Sequence, residues 1–206
     1  MSAQGSAALH GAIARSPLVA GALAKAREAH AGQVRNGSGG MPYIEHPIAV
    51  AAVLADHEYG DEVLAAALLH DVVEDSDTTV GELRVRFGAP VADLVAALSD
   101  DEAIADYRAR KDEHRARVLA AGPDAMAIYG ADKLTNVSTL RRAYAEQGEA
   151  VAEEFKAPLE LKVEIWQADL KALRRECPRL PFLDRLQAEV SLLRADRQAA
   201  IPRAGT

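Results

Sequence analysis

The run Ala65-Ala-Ala-Leu-Leu-His-Asp-Val-Val-Glu-Asp75 constrains this chain more than any other segment. Ala65 to Leu69 are apolar enough for a core, yet they lead straight into His70, Asp71, Glu74 and Asp75. Read as a helix turning 100° per residue, His70 and Glu74 fall on one line and Asp71 and Asp75 on the adjacent line. All four then share an arc of roughly 140°. A purely solvated face would have to begin abruptly behind a buried one. An imidazole among carboxylates is ligand chemistry for a divalent cation, and the second acidic pair is left for water activation.

Two distant residues extend the pattern. His46 sits in Met41-Pro-Tyr-Ile-Glu-His-Pro47, where Pro47 suits the first position of a new helix. Asp132 lies in Tyr129-Gly-Ala-Asp-Lys-Leu-Thr-Asn136, a polar interruption of another helical pattern. His46, His70, Asp71 and Asp132 thus form a four-ligand set drawn from three helices, the way helix bundles build metal sites. Two imidazoles with two carboxylates suit Mn, Fe or Zn better than Ca or Mg.

These words resemble the HD superfamily of metal-dependent phosphohydrolases, in the order His46…His70-Asp71…Asp132. Arg35-Asn-Gly-Ser-Gly-Gly-Met-Pro-Tyr-Ile-Glu-His-Pro47, Ala66 to Asp75 and Ala131-Asp-Lys-Leu-Thr-Asn136 are similar to the hydrolase domain of RelA/SpoT alarmone enzymes. Within that group they look most like its stand-alone forms, the small alarmone hydrolases of the metazoan SpoT homologue type. The resemblance covers residues 20–175, and Glu74-Asp75 after the His-Asp dyad is its most specific element.

The resemblance implies a single HD-domain helical bundle with the metal site between helices. It implies Mn-dependent removal of the 3′-pyrophosphate from ppGpp or pppGpp, a step of the stringent response. His46, His70, Asp71 and Asp132 would hold one Mn or another divalent transition metal. Glu74 and Asp75 would position and deprotonate the attacking water. Arg35 would hold phosphate, a task suited to its planar fork. Asn136 and Thr139 would contact the sugar and 3′ side, and Lys133 would serve substrate or structure. Asn36 stands where many relatives carry lysine, the Gly-Ser-Gly-Gly loop is slightly longer, and Ser138 replaces a frequent arginine. These departures keep a second reading open: another nucleotide substrate, such as ppApp or NADPH. A non-catalytic nucleotide sensor is the third, which the intact motif set disfavours.

Composition sets the outer limits. With aromatics at 4 % and few alternating β-branched runs, the chain is expected to be all-α. At 206 residues it reads as one domain, with long helices over 151–176 and 181–197 packed on the metal-bearing part. Earlier helices are expected from Ser16-Pro17 to His30, over 47–58, as one continuous helix over 61–75, from Thr79 to Phe87, from Pro90 to Leu98 and over 103–121. Another carries Asp132 and Asn136, and the end frays from Ala199.

A net charge of −7 argues against nucleic-acid binding but not against a small polyphosphate held by local cations. A lone Cys177 and the lack of any run of about 20 apolar residues lead to an expectation of a cytoplasmic chain with no membrane partner. A long apolar face near the C-terminus is either core or a homodimer interface. His10, His30, His57 and His114 read as surface or capping residues, and 106–117 as a solvated helix face. Phe155 and Trp166 read as core, with stacking on a base as the alternative. Tyr43 reads as support for the His46 loop, and Arg141 or Arg142 as a candidate phosphate contact. Gly130 reads as a point of close helix approach beside Asp132, or as a glycine tolerated in a helix at a cost of about 1 kcal/mol.

Overall fold

The computed structural model describes residues 3–36 and 38–200. Those residues form an all-α bundle, and their one β-bridge pairs Val34 with Pro42 across the glycine-rich loop. Gly37 lies outside the described residues, as does the tail from 201.

Helix α1 (Ala3–Arg15) precedes the expected first helix and buries Leu9 and Ala12. Helix α2 (Pro17–Ala29) starts as anticipated, with the Ser16 hydroxyl accepting from the Val19 amide at 3.4 Å. Helix α3 (Glu45–Ala55) begins two residues before the expected start, which puts Pro47 third. That position still belongs to the first turn, where an amide has no helical partner to lose.

The expected single helix over 61–75 is interrupted. Helix α4 (Asp61–Leu69) buries every residue from Val63 to Leu69, and a four-residue turn of helix, α5 (Val72–Asp75), follows His70 and Asp71. Asp71 has φ −95° and ψ −6°, and the His70 Nδ1–H donates to the Ala67 carbonyl at 2.8 Å. The imidazole therefore occupies a carbonyl in the last turn of α4, where the regular helix is interrupted.

Helix α6 (Val80–Phe87) opens with the anticipated capping box between Thr79 and Glu82. Gly88, at φ +87°, ends it and leads into α7 (Ala89–Leu98). Helix α8 (Tyr107–Ala121) starts later than the expected 103, because the Asp106 carboxylate caps it by accepting from Ala109 N at 2.8 Å. Helix α9 (Pro123–Gln147) runs on into a 3-10 segment, Gly148–Glu154, instead of yielding to a helix at 151. Helix α10 (Leu159–Glu176) waits for Pro158, which lacks an amide proton and disfavours helix in the residue before it. Helix α11 (Leu183–Ala200) closes the described chain and is still helical at Ala199 and Ala200, where fraying was expected.

Helix α9 is the central member, contacting α3, α4, α7, α8, α10 and α11. Gly130 is required there: a Cβ would stand 3.0 Å from the Phe182 ring and 3.4 Å from Leu173. Leu54, Leu64, Leu68, Leu69, Tyr129 and Leu134 are fully buried around it. Each such side chain contributes on the order of 1.5–3 kcal/mol by leaving water. The packing brings the start of α3, the end of α4 and the middle of α9 together, carrying His46, His70 and Asp132. No single helix among the described residues is long and apolar enough to cross a membrane.

Candidate active site

His46, His70 and Asp132 converge, each offering a ligand atom within 4.8 Å of the others. His46 Nε2 stands 3.0 Å from Asp132 Oδ1 and 3.5 Å from Asp71 Oδ2. His70 Nε2 stands 3.1 Å from Asp71 Oδ1 and 3.7 Å from Asp132 Oδ1. Donors about 2.1 Å from one ion lie about 3.0–3.4 Å apart in octahedral or tetrahedral arrangements, so these spacings suit a single cation.

The proton inventory agrees with the spacing. The Ala67 carbonyl can only accept, so His70 Nδ1 carries the proton and its Nε2 presents a lone pair. The Thr135 hydroxyl bonds the Asp132 carbonyl at 2.9 Å and lies 3.4 Å from His46 Nδ1, which fixes that ring the same way. His70 Nε2 is buried without a hydrogen-bond partner. Lone pairs thus face carboxylates, an arrangement that needs a positive charge at its centre.

The electrostatics make the same demand. Burial, then the Arg35 guanidinium, lowers the His46 pKa to about 4. Burial also opposes charge on His70, but Asp71 and Asp132 outweigh it and raise the pKa to about 9, so its Nε2 lone pair takes up either a proton or a cation. Burial likewise works against the Asp132 carboxylate, yet the Lys133 ammonium and both imidazoles hold it well below the usual range. The donor set fits a divalent transition metal.

A ring of polar groups sets these ligands in place. Tyr43 Oη donates to Asp71 Oδ2 at 2.9 Å, and its ring stacks on His30 at 4.7 Å. Burial and Asp71 push the phenol pKa upward, so it remains a donor. Asn136 Nδ2 donates to Asp132 Oδ1 at 2.6 Å, and Arg35 donates to the Asn136 carbonyl oxygen. Lys133 Nζ donates to Asp132 Oδ2 at 2.9 Å and lies 4.1 Å over the Tyr129 ring. Asn136 and Lys133 therefore engage the ligand Asp132 directly, and Arg35 reaches it through Asn136.

The two acidic residues of α5 part company. Glu74 lines the 130 Å³ cavity that holds His46, His70, Asp71 and Asp132, and accepts from the Asp100 amide at 2.8 Å. Although the residue is exposed as a whole, its carboxylate points inward; desolvation first, then Asp71, raises its pKa to about 7. Asp75 is exposed, is absent from the cavity walls and sits on the Tyr43 side. It feels the buried charge nonetheless: burial and Asp71 raise its pKa.

A second cavity of about 300 Å³ continues from the first, sharing Arg35, Tyr43, Lys111, Lys133 and Asn136. Thr139 and Asn36 line it, as do Phe155 and Trp166, which are core and cleft at once. A third, of about 180 Å³, takes Thr139, Ser138, Arg142 and Arg35. Arg141 instead pairs with Glu189 of α11 at 2.6 Å.

Sequence reasoning missed Thr135, Asp100, Tyr107, Lys111, His114 and Lys162. Far from being surface, His114 is buried and contacts Asp100 at 2.7 Å, where Lys111 also pairs. His30 ends α2 as a capping residue but is buried too. The 106–117 stretch is thus only partly a solvated face. The one available signal was the alternation of Lys111 and His114 with exposed charges at helical spacing.

A sequence profile of the HD domain matches residues 22–159. A guanosine-3′,5′-bis(diphosphate) 3′-pyrophosphohydrolase of Vibrio cholerae is 42% identical over 135 residues, covering 63% of this chain and 19% of that protein. The pyrophosphohydrolase MESH1 of Mus musculus is 43% identical over 116 residues, covering 55% of this chain and 64% of that one. This chain therefore spans less than two thirds of the length of either relative. Among solved structures, a metazoan SpoT ortholog that hydrolyzes ppGpp superposes with TM-score 0.71 at 27% identity, over 86% of this chain and 97% of that one. The Listeria monocytogenes protein lmo0812 superposes with TM-score 0.65 at 31% identity, over 75% and 98%. With His46 of α3, Asp132 of α9, and His70 and Asp71 between α4 and α5 gathered at one place, and the profile spanning them all, the chain belongs to the HD domain family.

Proposed function

We propose that this protein is a Mn-dependent guanosine 3′,5′-bis(diphosphate) 3′-pyrophosphohydrolase. The observation that carries the reading is the lone-pair cluster of His46, His70, Asp71 and Asp132 opening, past Glu74, into a cation-lined cavity. The relatives named for that activity support it. A divalent ion held by the four ligands supplies a positive centre that neutralises phosphoryl charge and acidifies water.

The protein's own groups do the rest. Glu74, with a pKa near neutrality, takes the proton as a water oxygen bonds to the 3′ phosphorus. The P–O3′ bond breaks, the ribose oxygen leaves and is protonated, and GDP and pyrophosphate result. Arg35 holds a phosphate oxygen, Asn136 and Thr139 face the sugar, and Lys133 keeps Asp132 charged and aligned. Asp75 acts from outside the cavity, through the charge it places beside Tyr43 and Asp71. The reading includes one domain, supported by a buried apolar cluster running from Leu9 to Leu193. It also includes a cytoplasmic location, in keeping with a lone, unpaired Cys177.

Asn36 on the cavity wall, where the family pattern often has lysine, favours a second reading in which ppApp or NADPH is the substrate. Incubating the purified protein with Mn and each of ppGpp, ppApp and NADPH separates the two. Pyrophosphate and GDP from ppGpp, lost on adding chelator, are expected. Turnover of another nucleotide with ppGpp untouched would overturn the guanosine assignment.

A further inference from the structure

Helices α3 and α11 both pack on α9, and a hollow of about 180 Å³ lies among the three. His46 and Thr135 belong to its wall, whereas Asp71, Glu74 and the Lys111 side of the substrate cavity do not. Its floor is aliphatic, with Ala49 and Val53 one turn apart on α3 and Leu134 on α9. Two guanidinium groups stand at the rim, Arg142 of α9 and Arg185 of α11, both on exposed residues.

Neighbouring arginines are spoken for: Arg141 pairs with Glu189 and Arg174 with Asp184. Arg142 and Arg185 have no such partner among the described residues, and neither does the Glu45 carboxylate in the same wall. The Ser138 hydroxyl, also in the wall, is buried without a hydrogen-bond partner. Buried hydroxyls normally find one, and in a helix the carbonyl four residues back is at hand.

A surface arginine without a partner is ordinary by itself. Two of them beside an orphan hydroxyl and above an aliphatic floor describe the recognition of an amphipathic anion. Guanidinium forks match a carboxylate, and the floor suits a short aliphatic body. Two guanidinia against Glu45 leave one positive charge in surplus, which a single carboxylate balances and a phosphate dianion overshoots.

We propose that this hollow is a second ligand site, distinct from the substrate cavity, for a small aliphatic carboxylate. Arg142 and Arg185 hold the carboxylate, Ser138 offers its hydroxyl, and Ala49, Val53 and Leu134 receive the chain. Such a ligand comes with an α-ammonium, as in an amino acid, or without one, and Glu45 tells the two apart. Arg35 and Thr139 are common to this hollow and the substrate cavity, so competition with nucleotide belongs in the test.

The direct probe is 4-methylpentanoate, titrated by calorimetry into chelator-treated protein so that no bound ion can ligate the carboxylate. Saturable one-to-one binding with a Kd of about 1 mM or below is expected. Acetate, which lacks the chain, and 4-methylpentanamide, which lacks the charge, should bind far more weakly. Arg142→Gln and Arg185→Gln should each weaken the probe about tenfold, with Mn binding retained as the check on folding. Leucine binding more tightly than 4-methylpentanoate, with the advantage lost in Glu45→Gln, would name an amino acid as the ligand. The opposite order would name the amine-free acid. No binding of either, the amide bound as tightly as the acid, or affinity untouched by both arginine variants would overturn the assignment. So would displacement of the probe by GDP, which would join the hollow to the substrate cavity. The test involves no turnover, so its outcome is independent of the hydrolase reading.

Discussion

His70 derives its role from one hydrogen bond. Because Nδ1 is committed to the Ala67 carbonyl, Nε2 can only accept a cation or a proton. Asp71 supplies an oxygen to both histidines, so Asp71→Ala should abolish Mn binding in calorimetry together with turnover; retained stoichiometric binding would refute the ligand assignment. Tyr43→Phe removes only the hydroxyl that fixes Asp71, and should weaken Mn binding about 10- to 100-fold while the fold persists. Glu74→Gln should keep the metal and slow kcat about 10²-fold or more. The pH profile carries the sign: a base with a raised pKa is active once deprotonated, so activity should climb with pH through a limb at or below about 7. A bound cation favours the charged form and moves the limb down, never up. A limb that survives unchanged in Glu74→Gln would remove this residue from the role. His46, His70, Asp71 and Asp132 were legible in the sequence because their chemistry is written in residue type. Thr135 acts through a hydroxyl, which occurs everywhere and carries no such mark; Tyr43 was legible as support for the His46 loop, but its bond to Asp71 was not.

At the scale of elements, the sequence pattern captured the helices and missed where two of them give way. The apolar run of α4 and the acidic pairs after it do look like one helix, and only the His70 bond to Ala67 reveals the break. Both acidic residues then lie on the short α5, where Glu74 lines the cavity and Asp75 does not. Helix α8 shows the opposite difficulty. Its abundance of charge reads as solvent-facing, yet Lys111 and His114 turn inward to Asp100, which in turn offers its amide to Glu74. Tertiary pairing of this kind leaves no period in a sequence. Burial disfavours charge on Asp100, but His114 and Lys111 outweigh it and hold the carboxyl well below its ordinary value. Its stabilising contribution is therefore present above the unfolded pKa of about 3.9 and lost as pH falls through the folded value. Asp100→Ala should cost about 3 kcal/mol in urea unfolding at neutral pH, because it strands His114 and Lys111. A difference under about 0.5 kcal/mol, or one that grows in acid, would contradict that ledger.

Across the whole molecule, α9 is both the packing spine and the carrier of Asp132, Lys133, Asn136 and Thr139. Stability and chemistry are consequently linked through one helix. The net charge of −7 coexists with a cavity of four cations, so the acidic surface does not extend to where a polyphosphate would sit. Mn at about 100 times its Kd should stabilise the native protein by about 2.7 kcal/mol and leave Asp71→Ala unmoved, as read by thermal unfolding. An equal shift in both would mean that the ion binds elsewhere. The most direct test of the account is hydrolysis of ppGpp with Mn in oxygen-18 water, with the products resolved by mass spectrometry. Attack on the 3′ phosphorus predicts one labelled oxygen in the pyrophosphate and none in the GDP, and no products with Asp71→Ala. Label in the GDP, orthophosphate as the sole phosphorus product, or unchanged ppGpp would contradict it.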